Sequence, residues 1–247
     1  MLGYLWLEAK RQWRNRDALI FRLGLPTGVY LILTLAQQDP AGESSMGVPR
    51  ATARMVALAG LGAVISGLAP GPSLAEDRAS GWLRQLRTTP LRPSTAVAAK
   101  VAVAMSFALP AIALVAAAGG MVGDNEGLTL GWARWLQLIG LMWLATTPIT
   151  ALGALIGLTF GGEAAQGATT LAFIVLWLAG GIFTPPSNLP DVLAAVAKVL
   201  PSYGVVQVGE SVTGGHALPA SALVVLAAWT LAAGTLAALA WRRVVAR

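Results

Sequence analysis

Six long apolar runs, separated by polar segments, dominate the sequence. They cover roughly residues 18–37, 52–74, 97–122, 133–160, 167–183 and 219–241. A helix rises about 1.5 Å per residue, so about 20 apolar residues cross the roughly 30 Å hydrocarbon core of a bilayer. The runs do not alternate between apolar and polar positions, as the strands of a membrane barrel do. The pattern predicts an all-α polytopic membrane protein whose six transmembrane helices form one domain over residues 1–247.

Residues 1–16, which precede the first run, have the pattern of an amphipathic helix. One face carries Leu2, Leu5, Trp6, Ala9 and Trp13, and Glu8, Lys10, Arg11, Arg14 and Asn15 lie mostly on the other. Such a helix lies in the membrane interface, with its tryptophans at headgroup depth and its cations toward anionic lipid. We therefore expect an N-terminal interfacial helix with membrane lipid as a partner.

The longest polar stretch between the runs is residues 75–96, AEDRASGWLRQLRTTPLRPSTA. In a short helix, Trp82, Leu83 and Leu86 form one apolar patch, and Pro90 ends that helix. A protein partner or the membrane surface must cover an exposed aromatic ring and two leucines. The pattern alone leaves these two possibilities open.

Residues 184–218 are too apolar for a solvated loop. Apolar side chains repeat at helical spacing over roughly residues 190–200, between two prolines. A helix of that length is about 16 Å long, which is half of what is needed to cross a membrane. Irregular backbone at membrane depth must be buried in protein or line a wet cavity. We therefore predict a re-entrant helix between the fifth and sixth spans.

Composition agrees with a membrane location and removes several classes of function. Of the 247 residues, 56% are hydrophobic and 11% are charged, whereas soluble domains have about 25% charged residues. The apolar content also excludes disorder. The chain has no cysteine and one histidine, which excludes a disulfide scaffold, a thiolate zinc site, a cysteine nucleophile and a multi-histidine metal site. We expect no metal and no catalytic site in this chain.

The basic residues are distributed unevenly between the two sides of the predicted bundle. If both termini are cytoplasmic, only Arg50, Arg54, Arg134 and Lys198 of the 17 Lys and Arg residues face the other side. This asymmetry follows the positive-inside rule. We therefore expect a multi-pass protein of the bacterial cytoplasmic (inner) membrane with both termini in the cytoplasm.

The order of these parts, together with two motifs, resembles the ABC-2 type permease family, and in particular its daunorubicin-resistance-like membrane subunits. The first motif is Glu76-Asp77-Arg78, Gly81, Leu83, Leu86 and Thr89-Pro90-Leu91, which is similar to the family segment E-R-x-x-G-T-L-E-x-L-x-x-T-P-L. The second is Pro186, Leu189-Pro190, Leu193, Ala197, Leu200-Pro201 and Tyr203, which is similar to the family segment before the last span. Trp82 and Arg84 stand where the family often has Thr and Glu.

The resemblance implies that this chain is the membrane subunit of an ATP-driven exporter of drugs, antibiotics or lipids. In the family, the 80–91 segment is a coupling helix that docks in a groove of a separate ATPase subunit. The candidate contacts are Glu76, Arg78, Gly81, Trp82, Leu83, Arg84, Leu86, Arg87, Pro90 and Leu91. The chain has no G-x-x-x-x-G-K-[ST] motif, so ATP and Mg²⁺ would be bound by the partner ATPase, and we expect no cofactor in this chain.

The resemblance also implies a second permease, either another copy or a paralogue, beside two ATPase subunits. Small residues allow close helix approach in lipid, and the family pairs spans one and five across the dimer. Gly24 and Gly28 in the first span are therefore the candidate dimer-interface residues. Gly153, Gly157 and Gly161 repeat at four-residue spacing on the fourth span and could pack against a second protomer or within one bundle.

Aromatic residues on the spans are candidates for the lining of a substrate cavity. They are Phe21, Tyr30, Phe173, Trp177 and Phe183. A lining of apolar, small and aromatic side chains suits a hydrophobic or amphipathic molecule better than an ion or a sugar. We expect no nucleic acid as a partner.

Three other classes of function compete with the permease interpretation. An intramembrane protease is disfavoured because Val64 replaces the first glycine of G-x-S-G and His216 lies in an outside loop, out of reach of a nucleophile. An ion-coupled secondary transporter or channel is the stronger alternative, although such proteins hold ionisable residues near the midplane, whereas Glu163 and Glu210 lie at edges. A scaffold without transport activity is the third possibility.

Overall fold

The structure is a computed structural model that describes residues 2–36, 47–82, 93–123, 130–182 and 190–246. In these ranges every regular secondary-structure element is a helix, which confirms the predicted all-α fold. The helices are α1 (Leu2–Arg14), α2 (Arg16–Ala36), α3 (Arg50–Ala79), α4 (Pro93–Gly123), α5 (Trp132–Thr159), α6 (Gly162–Leu178), α7 (Asp191–Val199), α8 (Pro201–Gly214) and α9 (Ala220–Ala246).

Five of the described helices are long and apolar enough to cross a membrane, by length and composition: α2, α3, α4, α5 and α9. The pair α7–α8, which bends by 81°, would make six if it counted as one broken span. The predicted fifth span at 167–183 corresponds to α6, whose 17 residues lie at the lower end of the crossing range. It begins earlier than predicted because the turn at Gly161 and Gly162 (φ 48°) is followed at once by helix, with Glu163 in the first turn.

α3 is the central helix of the bundle. Of its apolar stretch, 83% is buried within the chain, compared with 11% for α2 and 17% for α9. The core around it includes Met55, Val56 and Val64 of α3, Ile149 of α5 and Val205 of α8, each at most 1% exposed. α2 and α9 therefore offer most of their surface to lipid or to a partner.

The two ends of the bundle carry different parts of the chain. At one end, Leu74 of α3 packs with Leu158 of α5 and Trp241 of α9. We call this the junction end, because α1 and both flanks of the 80–92 segment lie there. At the opposite end, Gly214 of α8 lies against Val48. The basic N-terminal helix and the last turns of α9 thus share the end from which the 80–92 segment departs.

Glycines allow α3 and α5 to approach each other closely. A Cβ added at Gly153 would lie 2.8 Å from the carbonyl oxygen of Gly67, and one at Gly157 would meet the carbonyl oxygen of Gly71. Cβ atoms do not come this near to backbone, so any larger residue would push the helices apart. Gly161, the third member of the repeat, has nothing within 4 Å. Of the two possibilities for this stripe, Gly153 and Gly157 pack within the bundle.

The predicted half-crossing helix at 190–200 corresponds to α7, but the chain then continues in a second, unpredicted helix, α8. Pro201 occupies the first position of α8, where its missing N–H costs nothing, and Gly215 ends it with a φ of 70°. The sequence of α8 is rich in glycine, valine, serine and threonine, which have low helix propensity. Burial of Val205 and Val208 in the core outweighs that propensity.

We predict that Gly157→Ala will destabilise the protein by about 1–3 kcal/mol, the usual range for overpacking. The reason is that the new methyl group meets backbone of α3, which cannot move aside as a side chain can. The measurement is thermal unfolding of the purified protein in detergent. Gly161→Ala is the matched control, because its site is open and its φ of −118° is allowed for alanine. Equal melting temperatures for the two variants would contradict the close crossing.

Candidate functional site

At the junction end, five polar side chains from three helices meet in a cluster that we call the ionic junction. Its members are Glu8 and Arg11 of α1, Ser73 and Asp77 of α3, and Lys100 of α4. The side chain of Lys100 is 1% exposed, and those of Glu8 and Asp77 are 7% and 6% exposed. Charges removed from water to this degree are costly unless they are paired.

Lys100 is the centre of the ionic junction. Its Nζ lies 2.9 Å from Asp77 Oδ2 and 3.4 Å from Glu8 Oε1. It also donates hydrogen bonds to the hydroxyl and, at 3.4 Å, to the carbonyl oxygen of Ser73. Ser73 and Asp77 are four residues apart and so lie on the same face of α3. One ammonium group thereby joins α1, α3 and α4.

Arg11 completes the charge balance at the edge of the junction. Its guanidinium lies 3.7 Å from Asp77 Oδ1 and 3.9 Å from Glu76 Oε2. The side chains of Arg11 and Glu76 are 60% and 72% exposed, and exposed ion pairs contribute at most about 1 kcal/mol. The buried contacts of Lys100 therefore dominate the energetics, and Glu76 is accessible to a partner.

A second contact fixes α1 to the bundle through rings. Trp13 of α1 and the buried Phe107 of α4 have their ring centroids 5.3 Å apart. Arg22 of α2 lies 5.8 Å from the same Phe107 ring and donates a hydrogen bond to Gln12 Oε1 of α1. α1 is thus docked on α4 and on the π-helical turn of α2 at Ile20–Gly24.

Arg78 ties the end of α3 to the end of α5. Its Nη1 donates to the carbonyl oxygens of Gly157 (3.0 Å), Leu158 (2.6 Å) and Phe160 (3.2 Å). The last carbonyls of a helix have no partner inside it and carry the negative end of the helix dipole. The guanidinium of Arg78 supplies both hydrogen-bond donors for these carbonyl groups and a positive charge at the negative end of the dipole. In the motif Glu76-Asp77-Arg78, the side chain of Glu76 is therefore exposed, that of Asp77 contacts Lys100, and that of Arg78 binds the end of α5.

α3 ends next to the predicted coupling segment. The Ser80 hydroxyl donates to the carbonyl oxygen of Asp77, and Gly81 turns the chain with a φ of 73°. Trp82, which follows, is 42% exposed. The other predicted contacts of this segment, namely Leu83, Arg84, Leu86, Arg87, Pro90 and Leu91, lie outside the described residues, and contact of this segment with an ATPase stays a prediction.

The structure does not bring the predicted cavity aromatics together in one place. Phe21 is 52% exposed on α2, whereas Tyr30 of the same helix is 2% exposed and lies in the core. Phe173 and Trp177 of α6 stack on each other with centroids 6.0 Å apart, at the edge of the core. Phe183 lies outside the described residues. In this conformation Phe21 is the most accessible of the described four.

Gly24 and Gly28 lie in an open, apolar groove on the outer face of α2. The groove has a volume of about 540 Å³, and Phe21 and Ile32 also line it. A Cβ added at Gly28 would have nothing within 4 Å, and one at Gly24 would meet only Ile20 of the same helix. The two glycines therefore do not pack against the bundle of their own chain.

Sequence reasoning missed the ionic junction. The sequence pattern puts Glu8 on the water-facing side of the N-terminal helix, Lys100 among the basic residues of the cytoplasmic side, and Asp77 in a motif with no partner indicated. The available signal was a lysine inside the first turns of a strongly apolar run. Such a cation needs a counter-charge, and acidic residues are few in this chain, which has 11 Asp and Glu in all.

We predict that Lys100→Met will destabilise the fold by about 3–5 kcal/mol, because it leaves the carboxylates of Glu8 and Asp77 buried without a cation. The triple variant Glu8→Gln, Asp77→Asn, Lys100→Met should recover most of this loss, since no buried charge is left. Lys198→Met, at an exposed lysine of α7, is the control. Melting temperature and the monodisperse yield in detergent measure the effect. A Lys100→Met protein as stable as wild type would contradict the junction.

Comparison with known proteins places this geometry in a family. Residues 3–208 match the family described as ABC-2 type transporter. The chain is also 25% identical over 196 residues, 79% of this chain and 78% of the other, to the "Putative transport permease YvfS" of Bacillus subtilis strain 168. The match spans α1, the ionic junction, the coupling motif and most of α8. The chain therefore belongs to the ABC-2 type transporter family and is a multi-pass membrane component of a transporter, a family whose members work with an ABC ATPase.

Proposed function

We propose that this chain is the permease subunit of an ATP-driven exporter that moves a hydrophobic or amphipathic molecule outward across the bacterial cytoplasmic membrane. The observation that carries the proposal is the ionic junction. Lys100, Asp77 and Arg78 fasten both flanks of the 80–92 segment to the ends of α1, α3, α4 and α5. A partner that holds this segment therefore holds four helices at once.

The proposed source of energy is a separate ATPase subunit that binds ATP and Mg²⁺ and also binds the 80–92 segment. The exposed ring of Trp82 and the exposed carboxylate of Glu76 are available to it. When nucleotide draws the ATPase subunits together, the segment moves with them and the junction passes that movement to α3, α4 and α5. Nucleotide can shift the bundle between its states only through a difference in affinity for those states.

The proposed cargo is inferred from the surfaces of α2 and α6, and the proposed orientation from the basic residues near the two termini. The exposed side chains along the middle and end of α2, such as Ile20, Phe21 and Ile32, and the partly buried rings of α6 are apolar, which suits a drug, antibiotic or lipid. Both termini lie in the cytoplasm in this proposal. The basic face of α1 and the last turn of α9, with Arg242 and Arg243, then face the anionic inner leaflet.

A second permease copy or paralogue is proposed to pack against the groove of α2. Only 11% of the apolar stretch of this span is buried by its own chain. In lipid, helices associate through small residues that let backbones approach, and Gly24 and Gly28 provide such a surface. Phe21, at the rim of the groove, would then lie where the two permeases meet.

We predict that Trp82→Glu will abolish substrate-stimulated ATP hydrolysis while leaving the fold intact, because a charge replaces the exposed ring that the ATPase would bury. The assay uses the permease reconstituted with its partner ABC ATPase, and it measures ATPase rate and nucleotide-dependent transport. Trp82→Phe is the matched control and should retain most of the coupling. Full stimulation in Trp82→Glu would refute the docking proposal, as would transport by the permease alone without nucleotide.

Gly28→Leu should convert paired permeases to single ones without unfolding them. The side chain enters open space within its own chain but fills the groove that a second protomer would occupy. Gly234→Leu on α9 is the matched control, since it also has nothing within 4 Å. Mass photometry or crosslinking in detergent measures the oligomer. A Gly28→Leu protein that remains dimeric would exclude this face as the interface.

A further inference from the structure

α8 is buried on nearly all sides except along one narrow line of polar residues, which we call the polar stripe. Tyr203, Gln207 and Glu210 are half-buried, while the positions between them are buried. At about 100° per residue, the three positions fall within about 60° of one another on the helix. The stripe is therefore a single continuous face and not a set of scattered polar residues.

The helices on either side of the polar stripe are known from the packing of α8. On one flank, Gly204 lies against Leu226 of α9. On the other flank, the Ser202 hydroxyl donates to the carbonyl oxygen of Leu176 of α6, and Val206 lies against Gly60 of α3. The stripe thus opens outward from the bundle through the gap between α9 on one side and α3 and α6 on the other.

The stripe runs from membrane depth at Tyr203 to the outer end of the bundle at Glu210. At the bend before α8, Trp229 of α9 donates its indole N–H to the carbonyl oxygen of Val199 at 2.8 Å. Trp229 is nine residues beyond Ala220, so the bend lies roughly 14 Å along α9 from its start. From there α8 runs back to the end of the bundle opposite the junction. Under the proposed orientation, Tyr203 and Gln207 lie in the outer half of the membrane, and Glu210, about 15 Å along α8 from the bend, lies level with the start of α9 at the outer edge.

Glu210 is a carboxyl group for which the described part of the chain supplies no ion-pair partner. The ion pairs formed among the described residues join Arg11 and Lys100 to carboxylates at the far, junction end. A half-buried carboxyl group is costly to ionise unless a cation or hydrogen-bond donor pairs with it. Tyr203 and Gln207 are linked to each other, with Gln207 Nε2 donating to Tyr203 Oη at 3.1 Å, and leave the carboxylate to an external group.

We propose that the polar stripe binds the cationic head of an amphipathic small molecule, with Glu210 as its counter-charge. The inference rests on the proposed export function for its setting, because it makes the stripe a cargo site on the outer side of the bundle. Charge complementarity selects a cation over an anion. The ring of Tyr203, two turns from Glu210, can add a cation–π contact, and the apolar neighbours of the stripe suit the body of such a molecule.

The experiment measures binding of tetraphenylphosphonium to the purified full chain in nanodiscs, without any ATPase. Tetraphenylborate, which has the same shape and the opposite charge, tests whether charge or shape is recognised. Wild type should bind tetraphenylphosphonium saturably and tetraphenylborate not at all. Glu210→Gln should weaken binding of the cation about tenfold, which corresponds to about 1.4 kcal/mol, and Tyr203→Leu should weaken it several-fold. Glu163→Gln, an exposed carboxylate in the first turn of α6, should change nothing.

Two results would overturn the proposal. The first is equal affinity of wild type and Glu210→Gln for tetraphenylphosphonium at unchanged melting temperature. The second is a change of oligomeric mass in Glu210→Gln, which would make Glu210 a contact between protomers. The export function is tested separately by nucleotide-dependent transport with the ATPase. Binding through Glu210 without ATP-driven transport would support the cation site and refute the export function. ATP-driven transport without binding through Glu210 would support the export function and refute the cation site.

Discussion

The buried cation of Lys100 between the carboxylates of Asp77 and Glu8 is the interaction on which the cytoplasm-facing architecture of the proposed permease depends. None of these charges is stable in an apolar surrounding unless the other two helices are in place. The buried charges therefore favour the structure in which all three helices are in place. This makes the flanks of the 80–92 segment stiff, and Arg78 extends the stiffness to α5. In the proposed mechanism, such an attachment would let a displacement of the 80–92 segment reach the helices, because a flexible attachment would take up that displacement itself.

The opposite end of the bundle is built by a different kind of contact. There α8 is held by small and β-branched residues in close contact, such as Gly209 against Val56 and Gly204 against Leu226. These contacts are short-ranged and carry no charge, so they can slide and re-form more readily than a buried ion pair can. The one carboxyl group in α8, that of Glu210, faces away from them. The protein thus combines an ionic junction at one end with closely packed apolar contacts and a polar stripe at the other.

Several features of the fold could be predicted because they follow from local pattern. The apolar runs predicted the long spans, the break between Leu200 and Pro201 was visible as a proline after an apolar helix, and the repeat of Gly153 and Gly157 indicated close packing. α8 could not be predicted, since its glycines and β-branched residues disfavour a helix in isolation. The partners of Lys100 could not be predicted either, because Glu8 and Asp77 are 92 and 23 positions away in the chain.

The sequence by itself indicated that this chain lies in a membrane, which apolar runs are long enough to cross it, and where its two family motifs lie. Those properties depend on hydropathy and spacing, which are sums over neighbouring residues. Only the tertiary structure decided which glycines face the bundle and which face outward, that Asp77 and Arg78 are turned inward, and that Glu210 has no counter-charge in the described chain. These depend on which helices meet, and that is set by packing between segments far apart in the sequence.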